Sequence, residues 1–149
     1  MTRFTALLAL AAIWAAPSAA GESLPGPLSA TLVRVVDGDT IEVSVRVWLG
    51  QELTTSVRIR GIDAPELRGR CRRETILAAA ATDRLAEIAD AALRLTDIGE
   101  DKYFGRVVAD VENATGGNLA AMMLGSGLAR AYDGGQRGDW CGMVSLDPD

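Results

Sequence analysis

A mainly β domain with helices, built as a five-stranded Greek-key barrel in the order β-β-β-α-β-β-α, is the fold class this sequence predicts, and three observations carry it. Three runs of strand-like residues follow one another between residues 31 and 62, the second of them alternating cleanly between apolar and polar side chains. A stripe at helical spacing then occupies residues 74–92. Two further alternating runs and a short capped segment follow it. A helix between the third and fourth strands is the arrangement of a barrel of the OB type.

Taken in order, residues 1–20 place Arg3 near the start, an apolar run from Phe4 to Ala16, and Ser18-Ala19-Ala20 before Gly21. This is the three-part layout of a secretory signal peptide, with cleavage expected after Ala20. The run is shorter than the ~20 residues that a bilayer requires, and no later segment is longer, so a mature chain free of the membrane is expected. Export to the periplasm or beyond follows as the expected localisation. Leu24-Pro25-Gly26-Pro27 cannot continue a regular element, so residues 21–29 are expected as a flexible mature N-terminus and residues 30–149 as one folded domain.

Residues 31–36 are rich in β-branched side chains and form the first strand. After a turn at Asp37-Gly38, Thr40 to Trp48 sets Ile41, Val43, Val45 and Val47 on one face and Glu42, Ser44 and Arg46 on the other. Leu53 to Ile62 is the third strand, ended by Pro65. Leu77, Ala81, Leu85, Ile88 and Ala92 share a helix face, with Asp83, Arg84, Glu87 and Asp90 elsewhere on its circumference. Leu93–Ile98 and Arg106–Val111 alternate again as strands four and five. Asn118 caps a short helix through about Gly125, and the glycine-rich tail from Tyr132 to Cys141 is expected to form no regular element.

The chain has no histidine, which excludes Ser-His-Asp and Cys-His nucleophilic schemes and histidine zinc sites. Carboxylate, arginine and hard-metal chemistry remain. The formal charge is −5, so attraction to a polyanion cannot come from bulk charge and has to come from a local cluster such as Arg68, Arg70, Arg72 and Arg73. A solvated basic loop explains that cluster equally well. Cys71 and Cys141, an even pair in a chain with a leader, are expected to close a disulfide that ties the tail to the segment after the third strand.

Three stretches hold the chemistry. Asp37 and Asp39 flank a glycine, which by itself is only a hairpin signal, with Thr40 completing the turn. Asp63, at the end of the third strand, supplies a second acidic position. Adjacent strand ends can bring Asp39 and Asp63 together, and two carboxylates with a backbone carbonyl suit a hard cation such as Ca2+. Arg58 lies on a strand among apolar residues, where it is either paired in a salt bridge or used. Arg106 opens another strand. Two guanidiniums converging on a phosphate would stabilise the charge of a five-coordinate transition state. Glu66 is placed to accept a proton from water, unless it is an ordinary surface glutamate. Lys102 and Tyr103 suit a terminal phosphate and a base, and Tyr132 a second stacking face.

Together, Asp37-Gly38-Asp39-Thr40, Arg58 through Asp63-Ala64-Pro65-Glu66, and Asp101-Lys102-Tyr103 with Gly105-Arg106 resemble the staphylococcal nuclease (thermonuclease) family over about residues 30–132. The resemblance implies an OB barrel and a calcium-dependent nuclease of DNA and RNA that leaves 3′-phosphates. It further implies Asp39 and Asp63 as calcium ligands with the Ala64 carbonyl, Glu66 as general base and Arg58 and Arg106 as transition-state arginines. Asp37 corresponds to an accessory acid, and Lys102 and Tyr103 to residues meeting a nucleotide phosphate. Phe104 is one residue more than the family's Tyr-Gly-Arg, and is expected either to bulge the strand or to shift its neighbours. A monomer acting on single-stranded or frayed nucleic acid is the expected species. A barrel of the same ancestry that binds an oligonucleotide or protein without cutting is the alternative.

Overall fold

A computed structural model describes residues 21–142; the expected signal peptide and the last residues of the domain lie outside the described residues. The elements are β1 (Ser23–Leu24), β2 (Leu28–Val35), β3 (Thr40–Trp48), β4 (Gln51–Ile59), β5 (Ile62–Asp63), α1 (Arg72–Ile88), β6 (Ala92–Glu100), β7 (Arg106–Asn113), α2 (Leu119–Gly125) and β8 (Arg130–Ala131).

Strands β2, β3 and β4 form an antiparallel meander. β4 then runs parallel to β7, with Val57 opposite Val107, β7 pairs antiparallel with β6, and β6 returns to β2, with Ala30 opposite Leu93. The five strands therefore close on themselves as a barrel, the OB order expected from the sequence. Closure follows from alternation: Ile41, Val43 and Val45 of β3, Val57 and Ile59 of β4, Leu95 of β6 and Val111 of β7 are all buried in one cluster. Each such side chain contributes on the order of 2 kcal/mol by leaving water.

Helix α1 adds Ala81, Leu85 and Ile88 to that cluster, and α2 adds Leu119 and Met123. The Asn118 side chain accepts the Ala121 N–H at 2.9 Å, so α2 has the cap and bounds that the sequence indicated.

Four local expectations are corrected. Residues 21–29 are not wholly irregular, because Ser23–Leu24 pairs with Gly99 and Ile98 of β6 and β2 already begins at Leu28. The Asp97 N–H also donates to the Pro25 carbonyl, which explains how a proline-rich segment is held there. α1 stops at Ile88, and Ala92, assigned to its stripe, is exposed in β6 opposite Thr31, where the strand pairing takes over the chain. Val47 is 55% exposed, since the β3–β4 hairpin runs on past the part of the sheet that the core covers. The third strand ends at Ile59, and Ile62–Asp63 leaves it to pair with β8.

Candidate functional site

The site is assembled where the first turn meets the end of the meander. A Cβ on Gly38 would lie 2.6 Å from the Ala81 Cβ and 2.7 Å from the Ala64 Cβ, so only glycine lets the turn pack directly on α1 and on the chain after β5. That approach places Asp39 beside Asp63. The Ala64 N–H donates to Asp39 Oδ2 at 3.1 Å, the Thr40 hydroxyl to Oδ1 at 2.8 Å, and Asp37 accepts the Asp39 N–H at 3.0 Å.

In the β3–β4 register Arg58 stands opposite Thr40, which puts its guanidinium over Asp39 at 2.9 Å. It also reaches the Ile62 carbonyl at 3.1 Å and Asp63 at 3.6 Å, and its Cζ lies 5.5 Å from the centre of the Tyr132 ring. The plain salt-bridge reading of Arg58 is thus realised, and it is realised on the two aspartates that were candidates for metal ligation. Asp39 is 2% exposed and Asp63 3%. Burial raises the Asp39 carboxyl above its ordinary value; the Arg58 charge opposes this, the Asp37 charge adds to it, and the Ala64 and Thr40 donors oppose it.

A third guanidinium arrives from the tail. β8 pairs with β5, Asp63 opposite Arg130, and the Tyr132 N–H donates to the Gly61 carbonyl at 2.9 Å, so the following residues pass over the site. Arg137 contacts Asp63 at 2.5 Å, Asp39 at 3.6 Å and the Glu66 carboxylate. Trp140 is buried, with its indole N–H directed at Asp63 (3.4 Å) and the Arg130 guanidinium 3.8 Å above its ring. The expected disulfide is present, Cys71 to Cys141, and fastens this strap to the start of α1. Glu74, buried beside it, accepts the backbone N–H of Arg70 at 2.8 Å and of Glu66 at 3.4 Å, shaping the turn that carries Glu66. Of the basic cluster, Arg70 faces Asp139 of the strap at 3.5 Å.

The opposite wall is the β6–β7 turn. Arg106 lies 4.6 Å from the centre of the Tyr103 ring and pairs with Asp101 at 2.5 Å, while Lys102 lies 5.2 Å from the same ring. Phe104 is absorbed in the turn, at its exposed tip and before Gly105 at φ +78°, so it neither bulges β7 nor delays the strand, which starts at Arg106.

These two walls enclose a cleft of about 700 Å³ into which Asp37, Asp39, Thr40, Arg58, Glu66, Lys102, Tyr103, Arg106, Tyr132 and Arg137 all open. Asp63 does not open into it and instead borders a neighbouring hollow with Glu66, Glu74, Arg137 and Trp140. Among the residues singled out from the sequence, Ala64 offers Asp39 its N–H, whereas its carbonyl was the atom of interest. By donor chemistry the carboxylates of Asp39 and Asp63 suit a hard divalent cation. With Glu66 they share contacts to Arg137, although the three carboxylates do not close into one tight cluster. Arg137, Trp140 and Glu74 were missed. The signal available for Arg137 was its place four residues before a cysteine expected to bond just past Glu66.

Comparison with known proteins is consistent with this geometry. The family model described as "Staphylococcal nuclease homologue" matches residues 56–139, more than half of the chain. The match includes Arg58, Asp63, Glu66, Arg106 and Arg137 and begins after the turn that carries Asp39. No curated protein matches.

Proposed function

Because this chain belongs to the staphylococcal nuclease homologue family, we propose that it is an exported, calcium-dependent nuclease hydrolysing phosphodiester bonds of DNA and RNA to leave 3′-phosphates. The observation that carries this reading is the gathering of Asp39, Glu66 and Arg58 in a cleft whose other wall holds Arg106 and Tyr103, with Asp63 beside it in contact with Arg58.

Asp39 and Asp63, with the Ala64 carbonyl, would hold the cation, which when bound supplies a Lewis acid for the phosphate and lowers the pKa of water. Glu66, exposed at the cleft floor, accepts the proton of the attacking water. As the new P–O bond forms, the bond from phosphorus to the 5′ oxygen breaks. Arg58 and Arg106 offer their N–H groups to the non-bridging oxygens, where charge accumulates. Tyr103 and Tyr132 present ring faces to bases, which only unpaired bases can use, hence a preference for single-stranded or frayed substrate. A monomer is sufficient for all of these roles, and the disulfide suits an oxidising compartment outside the cytoplasm.

A second reading, recognition without cutting, is favoured by two contacts: Arg106 is held by Asp101, and Arg137 sits on the carboxylates. Hydrolysis of denatured DNA and of RNA by the mature, oxidised protein, with calcium and then with chelator, separates the two. Calcium-dependent cutting that falls by about a hundredfold or more in Glu66→Gln supports the nuclease. Binding without cutting supports the module.

A further inference from the structure

The strap that crosses the cleft ends its reach in an unusual contact. One side chain, Arg137, meets three carboxylates from three different places in the chain: Asp39 after the first turn, Asp63 in β5, and Glu66 beyond Pro65. Two of these groups, Asp39 and Asp63, are the carboxylates proposed above for the cation, and the third, Glu66, is the proposed base. Arg58 already engages Asp39 and Asp63 from within the barrel wall, and its side chain is 13% exposed. Arg137 differs in being 40% exposed and borne on a segment without regular structure, so its arm can leave without disturbing a strand or the core. The strap itself stays, because the β8–β5 pairing, buried Trp140 and the Cys71–Cys141 bond fix it on both sides of Arg137.

We propose that Arg137 is a resident cation of the acidic cradle, which a divalent metal must displace in order to reach Asp39 and Asp63. This rests on the metal-binding role proposed above for those two aspartates. Arg58 meets Asp39 through Oδ1 and stays in the barrel wall, whereas Arg137 takes Asp39 Oδ2 and the near oxygen of Asp63. A guanidinium seated on those oxygens strongly repels a divalent ion arriving there in a part-buried site. Metal therefore binds only the fraction of molecules in which the arm has swung out, and apparent affinity is reduced by that fraction. In the metal-free protein the same arm keeps the carboxylates neutralised. It is a positioning residue for the metal site, acting through the ligands.

The test is a terbium(III) titration of the mature, oxidised protein after chelator treatment, following luminescence sensitised by Trp140, whose indole touches Asp63. Arg137→Gln is expected to bind terbium about tenfold more tightly than the wild type, as for an arm closed about nine-tenths of the time. Its metal-free unfolding midpoint is expected to fall and to recover on adding terbium. Arg137→Lys, which keeps a charge but cannot span three carboxylates, is expected between the two and keeps the test open if the glutamine variant does not fold. Equal or weaker affinity in both variants, with calcium-dependent cutting intact in the wild type, overturns the competition and leaves the nuclease reading standing. Absence of terbium binding in wild type and variants alike overturns the metal cradle and this inference with it.

Discussion

Replacing Arg58 by alanine in the metal-free protein removes the guanidinium 2.9 Å from a carboxylate that is only 2% exposed. What Asp39 keeps is the Ala64 N–H, the Thr40 hydroxyl, and Arg137 at 3.6 Å on its other oxygen. Leaving one member of a buried pair uncompensated costs about 3–5 kcal/mol. The cost has a ceiling, since the carboxyl can take a proton instead, and from an unfolded value near 3.9 that costs about 4 kcal/mol at pH 7. The expected loss at pH 7 is therefore about 3–4 kcal/mol. Burial already raises Asp39 in the wild type, and Arg58 opposes that rise, so its removal raises the carboxyl further. A carboxyl raised on folding favours the protonated state. Its contribution is fully present below the unfolded value and is lost as pH rises toward the folded one, by up to about 1.4 kcal/mol per unit. The gap between variant and wild type should accordingly shrink on acidification toward about 1 kcal/mol near pH 4, the worth of the lost bond to the Ile62 carbonyl. Urea unfolding at a series of pH values, in chelator, measures it. A loss that does not vary with pH, or one below about 1 kcal/mol at pH 7, would refute the reasoning. Asp39→Asn in the same background should flatten the pH dependence.

Arg106→Ala should lower cutting by about a hundredfold and cost about 1–3 kcal/mol of stability, because it removes a charge-assisted bond to the largely buried Asp101; urea unfolding and initial rates on denatured DNA check both. Cys71→Ser with Cys141→Ser opens a loop of sequence separation 70 and should cost about 4 kcal/mol, read from the denaturation midpoint.

Alternation and capping made most of the fold legible before any coordinates. Ile41, Val43, Val45 and Val57 are buried where the two-residue period put them, and Asn118 caps the helix it was assigned. The misses share a cause. Ala89, Ala91 and Ala92 carry no stop signal, and it is the pairing of β6 with β2 that ends α1, a contact distant in sequence. Val47 keeps the period of its strand, but whether a neighbour covers it depends on how far the core extends. At the site, Asp39, Arg58, Asp63 and Glu66 were legible because each is chemically conspicuous at a turn or strand end. Arg137 was not, since it lies in a glycine-rich tail whose path is set by Trp140 and a disulfide rather than by any local period.

The way the barrel closes also orders its assembly. The first half of the chain can build only the β2–β3–β4 meander, a sheet with both outer edges bare, because Ala30 waits for Leu93 and Val57 for Val107. Unpaired edges of this kind invite pairing with another chain. Contacts so distant along the chain also slow folding, since the intervening loops must close before any reward is gained. During synthesis the exposed interval lasts until β6 and β7 have emerged. A chain stopped between α1 and β7 is thus an aggregation hazard, not a smaller barrel, and dividing this protein into separately expressed halves should yield insoluble N-terminal fragments.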